Sequence, residues 1–122
     1  MILKTCVAYL SAFLFLSLFT SAQQKADDIL GVWFNEEKTG KIEVYKDNNK
    51  YMGKIVWVDL KPEDSGFDEN NPDPQKRKQP LEGLLILKGF EYEEGEYVDG
   101  EIYDPKNGKT YSCYMKLETK DK

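Results

Sequence analysis

The stretch Ile102–Tyr111, reading IYDPKNGKTY, most narrows the folds open to this chain. Two apolar-aromatic ends flank Asp104-Pro105-Lys106-Asn107-Gly108. Pro105 holds the φ that a first turn position needs and offers no N–H. Asn107-Gly108 takes positive φ at low steric cost. Beyond the turn, Tyr111, Cys113, Met115 and Leu117 alternate with Ser112, Tyr114, Lys116 and Glu118. A period of two gives the strand one apolar and one polar face, as in an antiparallel hairpin.

The first 22 residues read as a signal peptide rather than as part of the fold. Lys4 precedes an apolar run, Val7–Phe19, too short to span a bilayer comfortably as a helix, and Thr20-Ser21-Ala22 supplies a small-residue exit. Residues 23–122 then form one domain, secreted or periplasmic. That segment keeps a single cysteine, Cys113, so an intrachain disulfide is not expected within it. The whole chain carries a net charge of −5. An acidic surface does not suit phosphate contacts, so nucleic acid is not an expected partner. No second long apolar run follows, so no membrane span is expected after the signal.

Taken in order, Ala26–Leu30 fits one helical turn and Gly31–Phe34 a first strand. Lys41–Lys46 alternates Ile42 and Val44 with Lys41, Glu43 and Tyr45, and Asp47–Lys50 turns the chain. Tyr51–Leu60 is the longest strand, apolar on both faces at Ile55-Val56-Trp57-Val58. Lys61–Gly83 is a long irregular loop with four prolines, a length that marks function or disorder. Leu84–Phe90, Tyr97–Tyr103 and Lys109–Glu118 complete six strands, with a bulge or bend expected at Gly100. The fold class is therefore all-β, an antiparallel meander with no substantial helix.

Three groups of residues resemble one bacterial family, known as domain of unknown function 2147. They are Gly31-Val32-Trp33 ahead of a hairpin; Asn71-Pro72-Asp73-Pro74 with Arg77 and Gly83 in the long loop; and Tyr103-Asp104-Pro105 followed by Gly108-Lys109-Thr110-Tyr111. The resemblance covers nearly all of residues 23–122. It implies a secreted or periplasmic, lipocalin-like β-barrel with no assigned activity. The family's loop usually carries a leucine and a second basic residue, where this chain has Lys76 and Gln79. The family also continues with two further strands. This chain stops at Lys122, so the expectation is an incomplete barrel of about six strands, against about eight in a ligand-holding barrel. The gap would lie between the first and sixth strands, or be filled by a homodimer's second copy. Trp33 would then lack the basic residue that packs on the first-strand Trp in such barrels.

Catalytic chemistry finds little support. The chain has no histidine, which removes the usual base near neutral pH and His-based zinc sites. Cys113 sits on an apolar face and reads as packing. Asp64, Asp68, Asn70, Asn71 and Asp73 offer oxygens in one loop, but their spacing fits no calcium loop, so neither metal nor cofactor is expected. Arg77 can pin the loop by docking against Asp73 and Asp104, or can belong to a solvated run, Lys76-Arg77-Lys78. The leading expectation is non-enzymatic binding of a small apolar molecule. Its cavity would be lined by Trp33, Val44, Val56, Ile86, Ile102, Cys113 and Met115. The alternative is a cell-envelope interaction module that presents the 61–83 loop and has a solid core.

Overall fold

The computed structural model describes residues 25–117. The expected signal peptide, residues 1–22, lies outside them, as do the last residues of the chain. One antiparallel sheet in simple meander order is built from β1 (Gly31–Phe34), β2 (Gly40–Asp47), β3 (Lys50–Val58), β4 (Leu85–Glu93), β5 (Glu96–Asp104) and β6 (Lys109–Lys116). The sheet does not close: β1 and β6 are its edges among the described residues. The expected all-β meander of six strands with an opening between first and sixth is therefore what forms.

Turn chemistry sets the register. Asn48 and Asn49 both take positive φ between β2 and β3, as do Glu94 and Gly95 between β4 and β5. Two consecutive left-handed residues match the twist of the flanking strands, which is why short hairpins favour them. At the β5–β6 turn the amides of Asn107 and Gly108 both donate to Asp104 O, and Asp104 pairs with Lys109. Pro105 occupies the first turn position and Gly108 the left-handed one, with φ +73°.

The inward face is a solid core of Ile42, Val44, Ile55, Ile86, Leu87, Phe90, Ile102 and Met115, with Tyr51 and Tyr97. Each such aliphatic or aromatic side chain contributes about 1.5–3 kcal/mol by leaving water. The register shifts between Tyr97 and Gly100 in the β5–β6 pairing, so the expected irregularity at Gly100 is present. The Phe90 ring lies directly over the Gly100 Cα, in the space a Cβ would need.

One end of the sheet is plugged by a single 3₁₀ turn, Asp27–Ile29, which buries Ala26 and Ile29. Three aromatic donors hold it. Tyr97 Oη donates to Ala26 O at 2.7 Å, Tyr51 Oη to Asp27 Oδ1 at 2.6 Å, and Trp33 Nε1 to Ile29 O at 2.8 Å. Trp33 thus finds a local partner in place of the distant basic residue. The Tyr51 and Tyr97 rings meet edge to face at 5.4 Å. Burial, then the neighbouring Tyr92 and Tyr51 phenols, push the Tyr97 phenol well above its ordinary value.

Gly100→Ala forces the new methyl against the Phe90 ring. The expected loss is about 1–3 kcal/mol in urea unfolding, with the sheet's far-ultraviolet spectrum retained.

Candidate functional site

The opposite end gathers the β1–β2 turn, the 59–84 connection and the β5–β6 turn, and a cleft of about 360 Å³ lies among them. Its floor is apolar: Ile42 and Ile55 from the sheet, Val58 at the end of β3, Ile86 from β4, and Leu81 from the loop. Exposed Leu60 and Phe67 stand at the rim. Polar groups on the walls are largely spent on the protein itself. Asn35 accepts from the amides of Thr39 and Gly40 at 2.8 and 3.2 Å and donates to Thr39 Oγ1 at 3.0 Å.

The long loop is ordered by its own backbone and by capping. Asp64 Oδ2 accepts from Lys61 N at 2.8 Å, and Leu81 N donates to Gly66 O at 2.9 Å. Asp68 N donates to Gln79 O at 2.9 Å, beside an isolated bridge between Phe67 and Pro80. Gly83 N and Ile55 O then tie the loop's end back to β3 at 2.6 Å. Asp73 caps a 3₁₀ turn, Pro74–Lys76, by accepting from Gln75 N at 3.0 Å.

What docks the loop on the sheet is Asp68, whose side chain is fully buried. Its Oδ1 accepts from Tyr103 Oη at 2.8 Å and its Oδ2 from Asn71 Nδ2 at 2.8 Å. A buried carboxylate is tolerable only when its oxygens are hydrogen-bonded. Asn70 Nδ2 adds bonds to the carbonyls of Pro105 and Lys106 at 3.1 and 3.2 Å. The Asn70 carbonyl sits where a Cβ on Gly108 would be, so only glycine permits this approach at a left-handed position. Burial, and next the hydrogen bond and charge of Asp68, push the Tyr103 phenol well above its ordinary value.

Of the two readings of Arg77, docking against Asp73 and Asp104 is not what forms. Its Nε donates to Asn71 O at 2.6 Å and its Nη2 to Pro72 O at 3.4 Å, while it meets neither Asp73 nor Asp104. Asp104 is instead the turn's own acceptor, taking Lys106 N at 2.9 Å. A guanidinium that finds free carbonyls one turn away has no reason to cross to the next hairpin. The tether is Asp68–Tyr103. Sequence reasoning counted Asp68 among the loop's oxygens but not as the tether, because one Asp among 22 acidic residues carries no mark of burial.

The expected cavity residues are dispersed. Val44, Ile102 and Met115 are packed in the solid core, and Trp33 and Cys113 lie half-buried against it. Ile86 alone of the seven lines the cleft. Val56 faces outward, 36% exposed. Ile42 pairs with Ile55 but Lys41 with Trp57, so Val56 is the extra residue of a bulge. The bulge turns Trp57 outward too, 37% exposed, with the Lys41 ammonium 5.5 Å from its ring centre. Cys113 packs half-buried against the core, as its place on the apolar face implies.

A bacterial family described as "Uncharacterized protein conserved in bacteria (DUF2147)" matches residues 31–122. The chain belongs to that family. The matched span of this DUF2147 protein takes in the whole sheet, the long loop and the Asp68–Tyr103 tether. Among solved structures the fold is similar to HP1028 from Helicobacter pylori, described as belonging to the lipocalin family. The TM-score is 0.59 and the identity 22%, over 71% of this chain and 62% of that one. At that identity the likeness is one of fold, and this DUF2147 chain spans 62% of the neighbour's length. A comparison with curated proteins finds no match.

Tyr103→Phe removes the donor to buried Asp68 and is expected to cost about 1–3 kcal/mol. Limited proteolysis within residues 61–83 should speed up, whereas Arg77→Ala should change it much less. The folded phenols of Tyr97 and Tyr103 hold their protons above the ordinary value near 10, so their stabilisation is complete below about pH 10. It falls as pH rises past that point, because the unfolded chain ionises first. Urea midpoints across the alkaline range should drop accordingly.

Proposed function

We propose that this protein binds a small, largely apolar molecule in the cleft beneath the 59–84 connection and performs no catalysis on it. The cleft carries the reading. It has an apolar floor, polar walls largely engaged by the protein itself, and a volume at the low end of the roughly 300–1,000 Å³ usual for ligand sites. The lipocalin-like fold is compatible with small-ligand binding. Residues 1–22 support export to the periplasm or beyond as part of the same proposal. No helix among the described residues is long and apolar enough to cross a membrane.

A second reading, an envelope interaction module that presents the 61–83 loop, draws support from the exposed side chains of Leu60 and Phe67 beside the cleft. Homodimerisation by strand addition is supported by the open β1 and β6 edges. Light scattering on the purified protein tests it, and a monomer at high concentration excludes it.

A neutral solvatochromic dye is the test of the leading reading. It should be taken up by the wild type and bind Leu81→Trp, whose side chain fills the cleft, at least about tenfold more weakly. Equal uptake by both proteins would remove the cleft as the site. Specific cross-linking of Phe67 to one envelope protein, with no dye uptake, would favour the second reading.

A further inference from the structure

Resting on the proposed binding site, we infer that its ligand is uncharged, and that the cleft reads apolar shape without anchoring a charged headgroup. Three observations on the lining carry this. First, the polar side chains over the floor are committed to the protein. Asn35 serves the β1–β2 turn through three hydrogen bonds, and Asn70 donates to the Pro105 and Lys106 carbonyls. Among the described residues no buried side-chain nitrogen or oxygen is left without a partner. The Thr39 and Ser65 hydroxyls accept from Asn35 Nδ2 and the Phe67 amide, so what they still offer a headgroup is a neutral O–H rather than a charge.

Second, each lining cation is already occupied. Lys61 Nζ lies 3.4 Å from Asp59 Oδ2 and Lys106 Nζ 3.6 Å from Glu37 Oε1. The Lys41 ammonium is held on the outer face over the Phe34 and Trp57 rings, at 5.2 and 5.5 Å from their centres. Third, the exposed carboxylates of Asp64 and Glu69 stand at the cleft, on a chain of net charge −5. A ligand anion that enters gives up hydration, must compete with an acidic or aromatic partner for each lining ammonium and approaches a repelling rim. A neutral chain of the same length loses only unfavourable contact with water.

The experiment compares 1-decanol with sodium decanoate near neutral pH, where decanoate is ionised. Each displaces the neutral dye from the purified protein. Decanol should bind at least about tenfold more tightly than decanoate. Asp59→Asn, an exposed substitution that releases Lys61, should raise decanoate affinity about threefold and leave decanol unchanged. Decanoate binding as tightly as decanol in the wild type would overturn the inference while leaving the cleft as a site. So would an Asp59→Asn protein with no gain for decanoate. If neither compound displaces a dye that is bound, or the dye itself does not bind, the cleft reading falls and this inference with it.

Discussion

The Tyr103 hydroxyl on the Asp68 carboxylate, 2.8 Å apart and out of reach of water, is the interaction on which the loop-covered end depends. Tyr103 belongs to β5 and Asp68 to the long loop, so this contact fixes where a 26-residue connection between β3 and β4 lies. A buried carboxylate with two donors is a directional constraint more than a source of net stability. Moving either element away leaves an acceptor with nothing to accept. Asn70 and Gly108 reinforce it through backbone contact, because only a residue without a Cβ lets the loop carbonyl come so near the turn.

The two ends of the sheet are closed by different physics. At one end a 3₁₀ turn is held by three aromatic donors, and the tyrosine cluster makes that plug continuous with the core. At the other, the loop is tethered at one buried point and otherwise satisfied by its own backbone, so space remains beneath it. The interior of an open six-stranded sheet is too narrow for a central cavity, and inward side chains such as Ile102 and Met115 fill it. The free space lies instead at the end where a loop, rather than side chains, forms the roof. That position separates the cleft from the residues first expected to line it.

Strand existence, strand order and hairpin positions were legible from period-two alternation and from pairs such as Asn48-Asn49 and Asn107-Gly108, since both are local. The irregularity at Gly100 was legible for the same reason. The facing of Val56 was not. Its position depends on one extra residue opposite the Lys41–Ile42 step, and a bulge of that kind reverses which side the following residues show. Arg77 stayed open between two roles because an arginine in a basic run carries no sign of whether carboxylates or backbone carbonyls will be nearer.

By itself, the order of residues determined an antiparallel all-β meander, its turns and the family to which the chain belongs, because alternation and left-handed turn residues act over a few positions. Only the tertiary structure decided that Asp68 is buried and that Trp57 faces out. It also decided that the cleft lies beneath the loop rather than inside the sheet. Those outcomes are set by contacts between segments distant in sequence, such as Asp68 with Tyr103 or Lys41 with Trp57, whose free energy no local pattern records.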